Sequence, residues 1–378
     1  MKRILFFITA VIVLYSCSGD DNSSPSANEI TVEEQLQTII DEKVGTDADK
    51  LVGVSVSIRI NGQEMWNLQG GLSRLDEPVT NNMRFGVASI TKTVVAASIM
   101  KLVDENVLSL EDTVGDWLTL NSPNIDDSIT ILQLLNHFAG LDGYMYSELW
   151  EQVEANLEVP IPQIDLVDFI GAPYHEPGET HTYSNSNYLV LGLIIEAATD
   201  KTVGEVMREK FWVPLNLNNM YFGTNEAILG PLAAPWRDSD GDGILEDITD
   251  QYDSAYHSVF YCAADVFSTA SDLSMWANHL YNGNAISMQS RQLMMTSYFD
   301  IPHPIFTGYG LGTRRNVYAG HTMWGHTGGM RGYGSAMFYD PISKVSIAML
   351  NNQSRSEDGP LLRHELVEEL LEVVFNSL

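Results

Sequence analysis

"FGVASITKT", residues 85–93, holds a serine and a lysine three positions apart, Ser89 and Lys92, and the chain repeats the spacing at Ser98 and Lys101. Only one of the two serines can be a nucleophile, and choosing between them organises the rest of the chain. A nucleophilic serine needs a nearby base and backbone N–H groups that can hold an oxyanion. The first turn of a helix offers free N–H groups and the positive end of the dipole, whereas a helix interior offers neither. The apolar spacing predicts a helix over 89–103. Ser89 falls at its start, where its own N–H has no partner. Ser98 falls inside, on the opposite face, and reads as a packing serine followed by a surface lysine.

Outward from this stretch, the pattern is that of a mixed α+β chain. Residues 32–44 carry Val32, Leu36, Ile39, Ile40 and Val44 at helical spacing. "VGVSVSIRI" then alternates as a strand, turns at Asn61-Gly62, and returns through "QEMWNLQGG". Near the other end "GYGSAMFYD" and "VSIAMLNN" read as strands joined at Asp340-Pro341, and "PLLRHELVEELLEVVF" as an amphipathic helix with Leu362, Leu366, Leu370 and Val374 on one face. Residues 106–305 are mostly helical patterns and long loops. The expectation is one antiparallel sheet flanked by helices, an α/β sandwich built from residues 31–105 and 306–378, with an inserted helical domain at 106–305. A site would lie in the cleft between the two.

Composition narrows the function classes. The 378 residues are 44% hydrophobic and 10% aromatic, ample for a core. A formal net charge of −30, from 50 acidic against 20 basic residues, repels phosphate and argues against nucleic acid or an anionic membrane face as partner. Lys2 and Arg3 precede an apolar run from Ile4 to Leu14, too short to span a bilayer, so residues 1–16 read as a signal peptide. Leu14-Tyr15-Ser16-Cys17 resembles a bacterial lipobox. That resemblance implies lipidation at Cys17, a flexible tether over 17–30, and a lipid-anchored place in the cell envelope, periplasmic or surface-exposed. Cys262 is then the one cysteine left, so no internal disulfide forms, and it reads as a small buried apolar residue.

Two further motifs follow Ser89-x-x-Lys92 in order. Among sixteen tyrosines only Tyr183 has an asparagine two residues on, Asn185, and "WGHTGGM" gives His326-Thr327-Gly328 followed by Gly329. A competing Phe306-Thr307-Gly308 lacks a cationic first residue. The order Ser-x-x-Lys, Tyr-x-Asn, His-Thr-Gly resembles the penicillin-recognising serine hydrolases, in particular class C β-lactamases, D-alanyl-D-alanine carboxypeptidases and their esterase relatives. The resemblance runs from about residue 31 to the end through "RFGVASITKT", "LEDTVGDWL", "ITILQLLNHFAGL", "EPGETHTYSNSNYLVLGLIIE", "FSTASDL" and "WGHTGGMRGYGSAMFYDP". It implies the β-lactamase/transpeptidase-like fold and hydrolysis of an ester or amide through an acyl-enzyme on Ser89, with no cofactor for catalysis.

In that family pattern Lys92 and Tyr183 share the proton, and which of them is the base at each step stays open. Asn185 would bind Lys92 and the acyl-side amide, and the N–H groups of Ser89 and Gly329 would form the oxyanion hole. His326, Thr327 and Gly328 would line the substrate, a small molecule or a peptide. β-Lactamases of this class usually carry lysine where this chain has His326, and Arg331 is the candidate to replace that charge. "HFAGL" stands where the family has H-T-S-G-L, which gives His137 and Gly140 structural work. D-Ala-D-Ala carboxypeptidase, β-lactamase-like and esterase activities stay open. So does a penicillin-binding-like receptor that acylates without turnover.

One motif lies outside this set. "RDSDGDGILEDITD" puts Asp238, Asp240 and Asp242 at alternate positions before Gly243, resembling the start of an EF-hand-type calcium loop, with Ile244 and Glu246 as further candidate ligands. Its twelfth position is Thr249 rather than glutamate, and a solvated acidic loop has the same composition. A structural Ca2+ over 238–250 is the expectation to compare with the structure.

Overall fold

A computed structural model describes residues 30–47, 49–296, 298–354 and 359–378. The leader, Cys17 and all of the tether but Ile30 lie outside the described residues. Val32–Leu378 form one compact unit. Among the described residues no helix is long and apolar enough to cross a membrane.

The main sheet has nine strands, every neighbouring pair antiparallel. In chain order they are β1 (Gly53–Ile60), β2 (Gln63–Arg74), β3 (Glu77–Pro78), β4 (Phe299–Asp300), β5 (Phe306–Tyr309), β6 (Arg314–Tyr318), β7 (His321–Met330), β8 (Tyr333–Tyr339) and β9 (Val345–Asn351). They lie side by side as β3-β2-β1-β9-β8-β7-β6-β5-β4. The two ends of the chain therefore meet at the β1–β9 seam, where Val54 pairs with Asn351 and Ile60 with Val345. Asn61 and Gly62 both take positive φ, 52° and 78°, which is the tight hairpin turn that Asn-Gly favours.

Helices cover both faces. α1 (Val32–Lys43) and a C-terminal helix, Gly359–Asn376, pack one face, burying Leu36, Ile40, Leu366, Leu370 and Val374 against Val54, Val56 and Ile58. Each such side chain contributes about 1.5–3 kcal/mol relative to exposure. The opposite face belongs to a larger core. It runs through α2 (Thr91–Asp104), α3 (Ser147–Ala155), α4 (Asn185–Thr199), α5 (Ser254–Ala264) and α6 (Ala270–Tyr281) to Met337, Tyr339, Ala348 and Leu350 of the sheet. The helical region thus shares one core with the sheet. β4 also comes from within residues 106–305, as an edge strand next to β5. The α+β sandwich read from the sequence is the architecture observed.

Candidate active site

Ser89 lies in a single 3-10 turn, Ala88–Ile90, that runs directly into α2. The turn is closed by the N–H groups of Ile90, donating to Val87 O at 3.2 Å, and of Thr91. Ser89 precedes both of these donors. Ala88 enters at φ +50°, a left-handed conformation that costs a non-glycine residue energy and is held here by its surroundings. Ser335 Oγ on β8 donates to Val87 O at 2.7 Å, and the Val87 N–H donates to Val266 O at 2.9 Å. The Val266 N–H in turn donates to Thr91 Oγ1 at 3.0 Å. A side chain at Gly328 would bring a Cβ to 2.3 Å from Val87 O, so β7 reaches the serine turn only because that residue is glycine. Ser98 is fully buried inside α2, its hydroxyl donating to Val94 O at 2.9 Å. It has no route to a substrate.

Lys92, one helical turn after Ser89, is fully buried. Its ammonium donates to Ser89 Oγ at 3.2 Å, Asn185 Oδ1 at 2.9 Å and Ala263 O at 2.7 Å. Three donors meet three acceptors, which fixes the side chain completely. Burial pushes the Lys92 pKa down, and the Tyr183 phenol beside it offsets part of that. Ala263 lies at the end of α5, and a backbone carbonyl leaves no mark in a sequence pattern.

Tyr183 stands just before α4, whose cap is Ser184 and whose first residue is Asn185. Its hydroxyl is shut off from water and has Lys92 and Ser89 as its polar neighbours. Lys92 Nζ is 5.1 Å from the centre of its ring and Arg314 Cζ 5.5 Å. Burial alone would raise the phenol pKa, but the two cations outweigh it and bring it below the ordinary value.

His326 is placed differently from the expectation. It is fully buried, with Nδ1 at 2.5 Å from Thr327 O and Nε2 at 3.1 Å from the Tyr309 hydroxyl. The same hydroxyl lies 3.2 Å from His137 Nε2, while His137 Nδ1 faces Asn187 Nδ2 at 2.7 Å and the Ser184 N–H at 3.3 Å. The amide and backbone donors make His137 Nδ1 an acceptor, so Nε2–H donates to Tyr309. Tyr309 then donates to His326 Nε2, and His326 Nδ1–H donates to Thr327 O. Both rings are neutral in this chain of bonds. Burial, and then nearby Arg314 and Lys92, push the His326 pKa well below the usual value. His137 moves the same way through burial and Lys92. His326 is a buried support for β7 rather than a carboxylate anchor, and Lys92 and Arg314 supply the positive field at Tyr183. His137, at φ +62°, and Gly140, where a Cβ would sit 2.1 Å from His175 O, do structural work as read from the sequence.

Arg331 is not the missing cation. It is paired with Glu154 at 3.2 Å and lies over the Trp150 ring at 4.3 Å. The cation at the site is Arg314 on β6, which the motif reading did not single out. Its Nη1 donates to Thr327 Oγ1 at 3.1 Å, while its Nε is buried without a partner among the described residues. Strand alternation carries the signal that could have found it. Adjacent Arg314 and Arg315 must face opposite sides of the sheet, so one of them turns toward the face that carries α2 and Ser89. Arg315 pairs with Asp300 at 2.8 Å and is spent there.

β7 also offers a free edge. β6 pairs with it only as far as Gly325, opposite Arg314. On the other side Met330 pairs with Tyr333 across the two-residue turn Arg331-Gly332. Hydrogen-bonded and non-bonded pairs alternate from that closing pair, which turns the N–H of Gly329 and the backbone of Thr327 away from β8. An extended substrate can pair with this stretch. Gly328 is buried and Gly329 exposed.

The acidic loop is separate from this site. Asp238, Asp240 and Asp242 present carboxylate oxygens within 4.8 Å of one another. They also accept from their own loop, Asp238 from the Gly241 and Gly243 N–H groups and Asp242 from that of Ile244. The Ile244 side chain is exposed, and Glu246 lies opposite Arg237 in a short strand pair outside the converging three.

A Beta-lactamase family model matches residues 36–371. A penicillin-binding protein of Bacillus subtilis (strain 168) is 25% identical over 319 residues, covering 78% of this chain and 67% of that protein. An unguisins hydrolase of Aspergillus campestris (strain IBT 28561) is 24% identical, covering 85% of this chain and 62% of its own length. The chain spans only 39% of Protein flp of Staphylococcus aureus (strain MRSA252), at 28% identity. In fold it is similar to D-amino acid amidase from Ochrobactrum anthropi SV3, with TM-score 0.80, 24% identity, and 92% of this chain and 99% of that one covered. It is similar as well to a D-stereospecific amidohydrolase from Streptomyces sp., with TM-score 0.78, 23% identity, and coverage of 92% and 99%. The family match over nearly the whole described chain agrees with the assembled Ser89, Lys92 and Tyr183: the chain belongs to the β-lactamase family of serine hydrolases, whose chemistry needs no catalytic cofactor.

Proposed function

We propose that this chain hydrolyses, through an acyl-enzyme on Ser89, an amide bond whose leaving group carries a carboxylate, with short peptides ending in a D-amino acid as the substrate class. The observation that carries this reading is Arg314, a permanent cation beside both Tyr183 and Thr327. Ser89 Oγ attacks the carbonyl carbon and its proton passes to the Lys92–Tyr183 pair. The N–H groups of Ser89 and Gly329 hold the oxyanion. The C–N bond then breaks as Tyr183 gives a proton to the leaving nitrogen, and water hydrolyses the Ser89 ester, the pair taking the water's proton and returning it to the departing Ser89 Oγ. Because Tyr183 serves the leaving nitrogen, the Arg314 guanidinium and Thr327 hydroxyl lie on the leaving-group side, where a terminal carboxylate would bind them both. The D-configuration is supported by the names of similar solved structures, a D-amino acid amidase and a D-stereospecific amidohydrolase.

The test is kcat/KM for an N-acetyl-D-Ala-D-Ala peptide and for its C-terminal amide. The free acid should be preferred by about ten- to a hundred-fold, the range of a charge-assisted hydrogen bond. Arg314→Met should remove most of that preference. Equal rates for acid and amide in the native protein would refute the reading. The leader and Cys17 support a lipid-anchored envelope protein, which metabolic labelling with a fatty-acid analogue, with and without Cys17→Ser, would test.

A further inference from the structure

A cavity of about 380 Å³ is lined by Glu154, Arg237, Gln251, Tyr256 and Arg331 among others. Three elements join it to the site. β7 carries Gly329 and turns at Arg331, two residues and about 7 Å farther on at the rise of a strand. α5 bears Tyr256 near its start and Ala263, the Lys92 acceptor, at its end. The segment leading into α3 brings Met145 Sδ to 3.6 Å from Asn185 Nδ2, and α3 then carries Trp150 and Glu154.

The lining is cationic within a strongly acidic protein. Arg331 is held over Trp150 at 4.3 Å and Tyr256 at 5.7 Å, and its backbone carbonyl accepts from the Tyr252 hydroxyl. Its ionic partner, Glu154, is 59% exposed and thus free to yield. Arg237 makes no side-chain hydrogen bond or ion pair among the described residues, and the Arg331 guanidinium is the polar neighbour of the buried Tyr256 hydroxyl. The neighbouring Asp238 is turned to its own loop's N–H groups. Arg237, Arg331 and the Tyr256 hydroxyl thus line one cavity.

We infer that this cavity is an acyl-side subsite for a carboxylate, bound by Arg237, Arg331 and the Tyr256 hydroxyl, with Glu154 as the resident counter-ion it displaces. The inference rests on the proposed function, and it makes the preferred substrate anionic at both ends. Arg314 would hold the leaving-group carboxylate and the arginine pair a carboxylate one side chain beyond the scissile acyl residue.

The test uses three D-Ala-D-Ala substrates of matched length, carrying N-glutaryl (anionic), N-pentanoyl (neutral) and N-(5-aminopentanoyl) (cationic) groups, with release of D-alanine as the readout. The glutaryl substrate should exceed the pentanoyl one in kcat/KM by about ten-fold or more, and the cationic one should be poorest. Arg237→Gln should lower the glutaryl-to-pentanoyl ratio several-fold. Glu154→Gln should raise it, a change of sign that a merely structural role would not give. Fluorophosphonate labelling of Ser89 in each variant reports a folded site. If the three substrates turn over at equal rates, or the cationic one is best, the subsite is refuted while the proposed function stands. No turnover of any of them overturns both.

Discussion

The Arg314 guanidinium donates to Thr327 Oγ1 at 3.1 Å from the neighbouring strand, and its carbon lies 5.5 Å from the centre of the Tyr183 ring. One side chain therefore touches both Thr327 on β7 and the field around the Tyr183 phenol, the two groups that the proposed function assigns to substrate binding and proton transfer. In the proposed function it supplies the charge that the His-Thr-Gly motif lacks.

The two roles of Arg314 separate by pH. Arg314 lowers the pKa of Tyr183 and that of Lys92, so its removal should raise both. With a neutral ester, which has no carboxylate to anchor, the ascending limb of the kcat/KM profile should move to higher pH in Arg314→Gln. An unshifted limb would mean that Arg314 acts on the substrate alone.

Adjacent glycines should respond to very different extents. At Gly328 a Cβ would fall 2.3 Å from both Val87 O and Ser335 Oγ, whereas at Gly329 the nearest atom is 3.8 Å away. Gly328→Ala should displace the serine turn and lower the rate of Ser89 acylation by about a hundred-fold or more, as a misplacement of about 1 Å does. Gly329→Ala should stay within a few-fold of the native protein. Acylation rates by a fluorescent penicillin or a fluorophosphonate would compare them.

The Tyr309 hydroxyl is the middle of the neutral chain from His137 to His326. Tyr309→Phe removes both bonds and leaves two buried ring nitrogens unpaired, at about 1–3 kcal/mol each. A loss of several kcal/mol in denaturant unfolding is expected, with m unchanged. Stability equal to the native protein would refute the chain of bonds.

Legibility in the sequence divides along a physical line. Local patterns carried the sheet termini, the Asn61-Gly62 hairpin and the choice of Ser89, because each depends on neighbours within one turn or strand. Ser98 shows the same rule from the other side, since its hydroxyl goes to Val94 four residues back. The electrostatics of the site did not follow from local pattern. His326 is held neutral by burial beside Arg314 and Lys92, and Tyr309 and His137, 17 and 189 positions away by number, close a chain of bonds around it. Arg314 enters through the pairing of β6 with β7, and the Ala263 carbonyl is backbone, for which every residue type reads alike.

The central claim is that Ser89, at the start of α2, is the residue acylated. Trapping the protein with a fluorophosphonate or a penicillin, followed by proteolysis and peptide mass spectrometry, tests it directly. The adduct should fall on Ser89, vanish in Ser89→Ala and persist in Ser98→Ala. An adduct on Ser98, or unchanged labelling of Ser89→Ala, would contradict the account.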